Sequence, residues 1–219
     1  MSLPAQIART RRFTLGVPGQ FTVGPGGAEV LFLRTKTGDD PAGCLWALDL
    51  DSGSERLLAD PAQLLAAGPA ESAEPTELTK PGTGIGAYAA DQAARLAVFA
   101  LAGGLWTVRV ADGAVRRLPT RSPVADPRPD PAGGRIAYVC DGALRVIEAD
   151  GTGDRVIAAA DQTDVTFGVG EHTGYAGLGG PRGYWWAPDG ARLLVARVDS
   201  AASRDGTSAT RPGPASRPR

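Results

Sequence analysis

The residues able to do chemistry in this chain are few and scattered. His172 is the single histidine of 219 residues, and so the only imidazole available as a catalytic base or metal ligand. A serine or cysteine nucleophile needs such a base within reach and an acid to orient it. No G-x-S-x-G elbow occurs anywhere, and His172 lies in GEHTGYAGLGG with no Ser or Cys in a recognisable setting. No catalytic residue is assigned, and His172 reads as an exposed loop histidine. Cys44 and Cys140 stand alone in apolar, strand-like contexts, which fits two buried thiols rather than a disulfide or half a metal site, because zinc ligands cluster. DLDSG (Asp49 to Gly53) alternates acidic oxygens as a calcium loop does, but the remaining ligands are missing and a hairpin turn accounts for it. PGTGIGA (Pro81 to Ala87) lacks the preceding buried strand and following helix of a dinucleotide loop, and AGLGGPRG (Ala176 to Gly183) lacks the Lys-Ser/Thr ending of a phosphate loop. No metal and no cofactor is expected.

The charge balance is equally plain. With 23 Lys+Arg against 24 Asp+Glu, the net charge of -1 argues against nucleic acid or an anionic membrane as partner. Lys36 and Lys80 are the only lysines, an arginine bias that fits a GC-rich gene better than a functional signal. The N-terminus has basic residues but no apolar run of signal-peptide length, and no later segment is long and apolar enough to span a bilayer. A cytoplasmic location is the expectation.

What positions these residues is a repeat. FTVGPGGAEVLFLR, AYAADQAARLAVFA, PDPAGGRIAYV and YWWAPDGARLLVAR each place a Pro/Asp/Gly turn before a charged residue and then an apolar run. That pattern is a tight turn feeding a buried strand. The charged residues Glu29, Arg95, Arg135 and Arg192 stand 66, 40 and 57 apart. After three of the four comes an alternating strand, an Asp/Gly turn and another short strand: CLWALDLDSGSERLLA, GGLWTVRVADGAVRRLP and GALRVIEADGTGDRVIA. A unit of about 40 residues built this way matches one propeller blade. The fold class is therefore all-β: a partial β-propeller of about three blades plus the first strand of a fourth, over residues 1–199, with an open sheet edge that invites self-association. The long steps mark insertions, one over Asp60 to Gly86 and one holding His172. In YWWAPDG, one of Trp185 and Trp186 should pack between blades and the other face the rim or channel.

These segments, in this order and above all with RGYWWAPDGARLLVARVD, resemble the N-terminal β-propeller of bacterial dipeptidyl peptidase IV-type enzymes of the prolyl oligopeptidase clan, from about Arg9 to Asp199. The resemblance implies an eight-bladed propeller that gates a C-terminal α/β-hydrolase domain with a Ser-Asp-His triad. It implies a peptide substrate, and only in the context of a full-length enzyme; this chain carries no triad and is expected to be inactive alone. The alternative is a stand-alone propeller-repeat protein binding a peptide or protein partner. In the family, two adjacent glutamates on an arm before the aromatic strand hold the substrate's free amine by charge-assisted hydrogen bonds. Counted back from RGYWW, that pair falls on Ala176 and Gly177, both neutral; Glu171 matches an earlier glutamate of the arm and is the one substrate-binding candidate.

After Asp199 the chain turns polar and Pro-rich, SAASRDGTSATRPGPASRPR, and residues 200–219 read as a disordered tail. Codons compatible with Arg204 to Pro212, read one base out of register, can encode Arg-Trp-Tyr-Ile-Gly-Asp-Pro-Ala, which resembles the family's next strand. The expectation is a frameshift near Ser200, which the nucleotide sequence tests.

Overall fold

The computed structural model describes residues 2–67, 84–162, 164–170 and 182–201. Among these, three antiparallel four-stranded sheets follow one another along the chain. The first blade is β1 (Gly19–Val23), β2 (Glu29–Thr35), β3 (Gly43–Asp49) and β4 (Glu55–Ala59). The second is β5 (Tyr88–Ala90), β6 (Leu96–Leu101), β7 (Gly104–Arg109) and β8 (Ala114–Leu118). The third is β9 (Ala125–Pro129), β10 (Arg135–Cys140), β11 (Ala143–Glu148) and β12 (Arg155–Ala158). Within each blade the strands lie side by side in chain order, the all-next-neighbour meander that short turns permit. Each blade gains a strand over the three-strand unit read from the sequence, because the residues before each Pro/Asp/Gly turn also pair.

The turns follow from their aspartates. Asp91 Oδ1 accepts the N–H groups of Arg95 and Leu96, and Asp130 Oδ1 accepts those of Gly134 and Arg135. Each carboxylate satisfies backbone donors that the turn leaves unpaired, and so tolerates near-complete burial. Asp49 does the same in DLDSG, taking the N–H and hydroxyl of Ser52, so this stretch is the expected hairpin turn.

Alternation along each strand decides which seam a side chain fills. From β6, Ala97, Phe99 and Leu101 join Leu31, Leu33 and Leu45 between the first and second blades. The intervening Val98 faces the other way, with Leu105, Ile136, Tyr138 and Ile147, between the second and third. On β10 the sets divide again: Ile136, Tyr138 and Cys140 face the second blade, while Ala137 and Val139 face Tyr184 of the next. Both faces of the middle sheets are therefore buried. Cys44 and Cys140 are both buried free thiols, as expected.

The fourth blade is begun. The strands β13 (Val165–Phe167), β14 (Tyr184–Trp186), β15 (Leu193–Val195) and β16 (Arg197–Asp199) form two ladders, β14 with β15 and β13 with β16. Only Ala196 separates β15 from β16, and it bonds across to Gly168 and Gly183. The geometry is one long second strand facing a first strand that is interrupted between residues 168 and 183, so the blade carries its second strand as well as the expected first.

Two short helices lie outside the blades. The first, α1 (Leu3–Arg9), buries none of its residues. The second, α2 (Pro61–Ala67), opens the Asp60 to Gly86 insertion, most of which lies outside the described residues. Residues 202–219 of the tail also lie outside them. Among the described residues no helix is long and apolar enough to cross a membrane.

Candidate functional site

The interrupted strand locates the site. An arm leaves the fourth blade after Gly168 and returns at Arg182, and its two ends close on each other. A side chain on Gly183 would run into the backbone of Gly168 and Val169. Gly168 itself has φ of 75°, a left-handed conformation open to glycine, with Val139, Leu144 and Tyr184 packed around it. The arm therefore has a fixed root beside the β10–β11 turn, where Phe167 donates its N–H to the Gly142 carbonyl.

Tyr184, the first residue past the root, is fully buried and fastens the fourth blade to the third. Its hydroxyl lies between the carbonyl oxygens of Asp126 and Ala137. Burial pushes its pKa well above the ordinary tyrosine value, so it stays a neutral donor. Trp186 follows it into the seam and donates its indole N–H to the Arg128 carbonyl at 3.2 Å, while Trp185 turns outward, 37% exposed. The division expected for the two tryptophans is thus the one observed.

Beneath Tyr184, the β9–β10 register slips between Ala137 and Val139, a bulge on the first strand of the third blade. Asp126 sits in that bulge with φ of 44°, unusual for a residue with a Cβ. The bulge brings Asp126 against Arg128, Oδ1 to Nη2 at 2.7 Å. Arg182 is close enough to be felt by both: burial and then the Arg128 charge lower its pKa, with Asp126 opposing. Burial raises the Asp126 carboxyl above its ordinary value against the pull of the two arginines. Arg182 also stacks over Trp185, 5.6 Å from the ring centre, and donates Nε–H to the Tyr184 carbonyl. Asp126 and Arg128 thus lie on the first strand of the third blade, and Arg182 stands two residues before β14, at the root of the arm.

Two clefts flank this frame. One of about 230 Å³ lies beside the root, lined by Asp141, Gly142, Gln162 and Thr166. A wider one of about 550 Å³ lies at the opposite strand ends, between the second and third blades, lined by Asp91, Arg95, Thr107, Arg109 and Arg116. Its arginines are engaged: Arg109 with Asp112, Arg116 with the Asp150 carbonyl and Arg95 facing Asp91 at 3.7 Å.

Residues 88–207, more than half of the chain, match the family model described as the dipeptidyl peptidase IV N-terminal region. The chain belongs to this family. Solved structures agree on the fold. The dipeptidyl peptidase 4 of Porphyromonas gingivalis superposes with a TM-score of 0.61 at 15% identity over 92% of this chain. A structure from a study of two prolyl endopeptidases gives 0.58 at 16% identity over 90%. An oligogalacturonate lyase in complex with manganese gives 0.52 at 14% identity over 83% of this chain and 46% of its own. The chain spans 28% of the length of each of the two peptidase structures. Three complete blades of this N-terminal propeller region and the start of a fourth are in place among the described residues.

Of the residues singled out in the sequence, Glu171, His172, Ala176 and Gly177 lie outside the described residues. Sequence reasoning missed Asp126, Arg128 and Arg182. Asp126 and Arg128 stand two apart in DPRP, but the bulge at Asp126 breaks the simple alternation that a sequence pattern can show. Among the described residues no group of three or more His, Cys, Asp or Glu side chains could hold a metal ion.

Proposed function

We propose that this propeller region gates and helps to recognise peptide substrate for a dipeptidyl peptidase IV-like serine exopeptidase, and that it has no peptidase activity unless joined to a hydrolase domain. The observation that carries this reading is the family match over residues 88–207 together with an arm inserted into the first strand of the fourth blade, rooted at Gly168 and Gly183. Fold alone would not carry it, since a lyase shares the architecture. The 219 residues offer one imidazole and no nucleophile elbow, so cleavage needs a serine, a histidine and an acid supplied by another domain. The purified chain should not turn over a Gly-Pro or Ala-Pro chromogenic dipeptide. Turnover by the chain alone would overturn the reading.

Further blades, or a second copy of the chain, are the partners that the free faces fit. The outward face of the first blade exposes Phe21 and Leu57, and that of the fourth exposes Trp185 and Leu194. Apolar faces of this kind are ordinarily covered. Sedimentation velocity should show concentration-dependent association, and a strictly monomeric chain would contradict it. We place the protein in the cytoplasm, a reading that fractionation tests.

A further inference from the structure

Strand register makes the three complete blades comparable residue by residue, and the second differs from the other two in kind. Arg56, Arg116 and Arg155 are equivalent: each stands on the fourth strand, opposite Ala47, Thr107 and Val146 of the third. Asp49, Arg109 and Glu148 are equivalent on the third strand, opposite Glu29, Leu96 and Arg135 of the second. In the first blade Arg56 donates to Glu29 at 2.7 Å, and in the third Arg155 donates to Glu148 at 3.3 Å. Arg116 has neither acid, because the positions of Glu29 and Glu148 hold Leu96 and Arg109. The second blade also carries a hydroxyl, Thr107, where its neighbours have Ala47 and Val146. On this one face an acid has become a base and an apolar residue has become a donor.

These residues line the open cleft of about 550 Å³ between the second and third blades. Of the side chains lining it, three are guanidinium groups and one, Asp91, is a carboxylate. Register sets the arginines together: Arg109 stands two residues from Thr107, which faces Arg116, so the two are diagonal neighbours on one face, and Arg95 precedes Leu96, which faces Arg109. They are accessible, with 74% of the Arg95 and 65% of the Arg109 side chain exposed. They also have donors to spare. Arg109 gives Nε and Nη2 to Asp112 and keeps Nη1, and Arg116 gives Nη2 to the Asp150 carbonyl and keeps the rest. Arg95 lies 3.7 Å from Asp91, beyond hydrogen-bond reach, and Asp91 Oδ1 is taken by the turn. At the floor, the Thr107 hydroxyl makes only a long bond of 3.4 Å to the Arg116 carbonyl. Leu96, Val115, Ala132 and Ala149 make the walls apolar.

We propose that this cleft binds a phosphate monoester, the phosphate among Arg95, Arg109 and Arg116 and the organic part against the apolar wall. A tetrahedral oxyanion offers oxygens to several guanidinium groups at once, whereas a carboxylate has two oxygens and is satisfied by one fork. Bound there, it replaces the acid that Arg56 and Arg155 find within their own blades. The site is separate from the arm and does not rest on the peptide-handling reading.

The test is calorimetric titration of the full chain, at constant ionic strength, with phenyl phosphate, inorganic phosphate and benzoate. Phenyl phosphate should bind about tenfold more tightly than either of the others, since only it supplies both the tetrahedral anion and the apolar body. Arg95→Gln and Arg109→Gln should each weaken it by about tenfold, the scale of one charge-assisted pair. Arg155→Gln, the equivalent of Arg116 in the third blade, should leave the affinity unchanged, and near-ultraviolet circular dichroism should show all three variants folded. Benzoate or inorganic phosphate binding as tightly as phenyl phosphate overturns the assignment. So does an affinity that is unchanged in both Arg95→Gln and Arg109→Gln, or the absence of saturable binding; the peptide-handling reading is untouched by any of these results.

Discussion

Two seams of this molecule are built on one plan and differ in one place. At the seam between the first and second blades, Tyr88 reaches the Gln20 and Leu31 carbonyls; at the seam between the third and fourth, Tyr184 reaches those of Asp126 and Ala137. In each case a tyrosine that begins one blade ties down a bulge in the first strand of the blade before. The tyrosine and the bulge are therefore a fastening between blades. The seam between the second and third blades does without it: Pro127 stands at the corresponding step of β9, and that seam is held by Val98, Leu105, Ile136 and Tyr138. What differs between the two fastened seams is the bulge side chain, a satisfied amide at Gln20 and a partly unsatisfied carboxylate between two arginines at Asp126. Structural need accounts for the first; the second adds charge where the arm is rooted.

The comparison breaks first at the tyrosines. Tyr184→Ala should cost about 3–5 kcal/mol, the scale of deleting a fully buried aromatic ring, as read by chemical denaturation. Tyr184→Phe should cost about 1–3 kcal/mol, because two carbonyls are left without their shared donor in a dry seam. Tyr88→Phe should cost less, since Gln20 is exposed and water can replace the lost donor. Equal losses at the two sites would contradict the difference in burial on which the comparison rests. Gly183→Ala should come next, at about 1–3 kcal/mol, the penalty of forcing a methyl group into the Gly168 backbone. Its effect should be seen chiefly as a loss of signal from Trp185 and Trp186.

Alkaline pH should act on buried groups away from the site. Burial pushes the Cys44 thiol up to about 11, and burial followed by the Asp154 hydrogen bond pushes Tyr138 to about 12. A raised folded-state pKa favours the protonated form, so the stability is fully present below the ordinary values and is lost as pH climbs from about 9 through 12. Cys44 should also resist alkylation at pH 8 until the chain unfolds; rapid labelling of the folded chain would contradict its burial. The smallest effect is expected at Arg109. Its pair with Asp112 holds that carboxyl at about 2, yet both side chains are largely exposed, and Arg109→Ala should leave the melting temperature unchanged within error.

How much of this was legible follows from the range over which each feature is encoded. The turns and second strands were readable because an Asp or Gly a few residues before an apolar run acts locally, as Asp91 and Asp130 do. The split between Trp185 and Trp186 was readable because alternation is a property of the strand itself. The bulges were not. A residue with a Cβ enters the left-handed region at Gln20 and Asp126 where a tyrosine 68 or 58 positions away takes its carbonyl. Nothing nearby announces such a partner. The same holds for the site: the arm stood out by composition, but the charges at its root come from two blades. Asp126 and Arg128 become a candidate only when β9 and β14 are brought side by side.

Hydrogen–deuterium exchange of the full chain, with and without a saturating peptide, tests most directly that the arm-rooted seam handles peptide. The account predicts slowed exchange at the amides of Ala125, Asp126, Arg128 and residues 182–186, with the seam around Gln20 unchanged. Protection confined to the opposite cleft at Arg95 and Arg109, or protection nowhere, would contradict it.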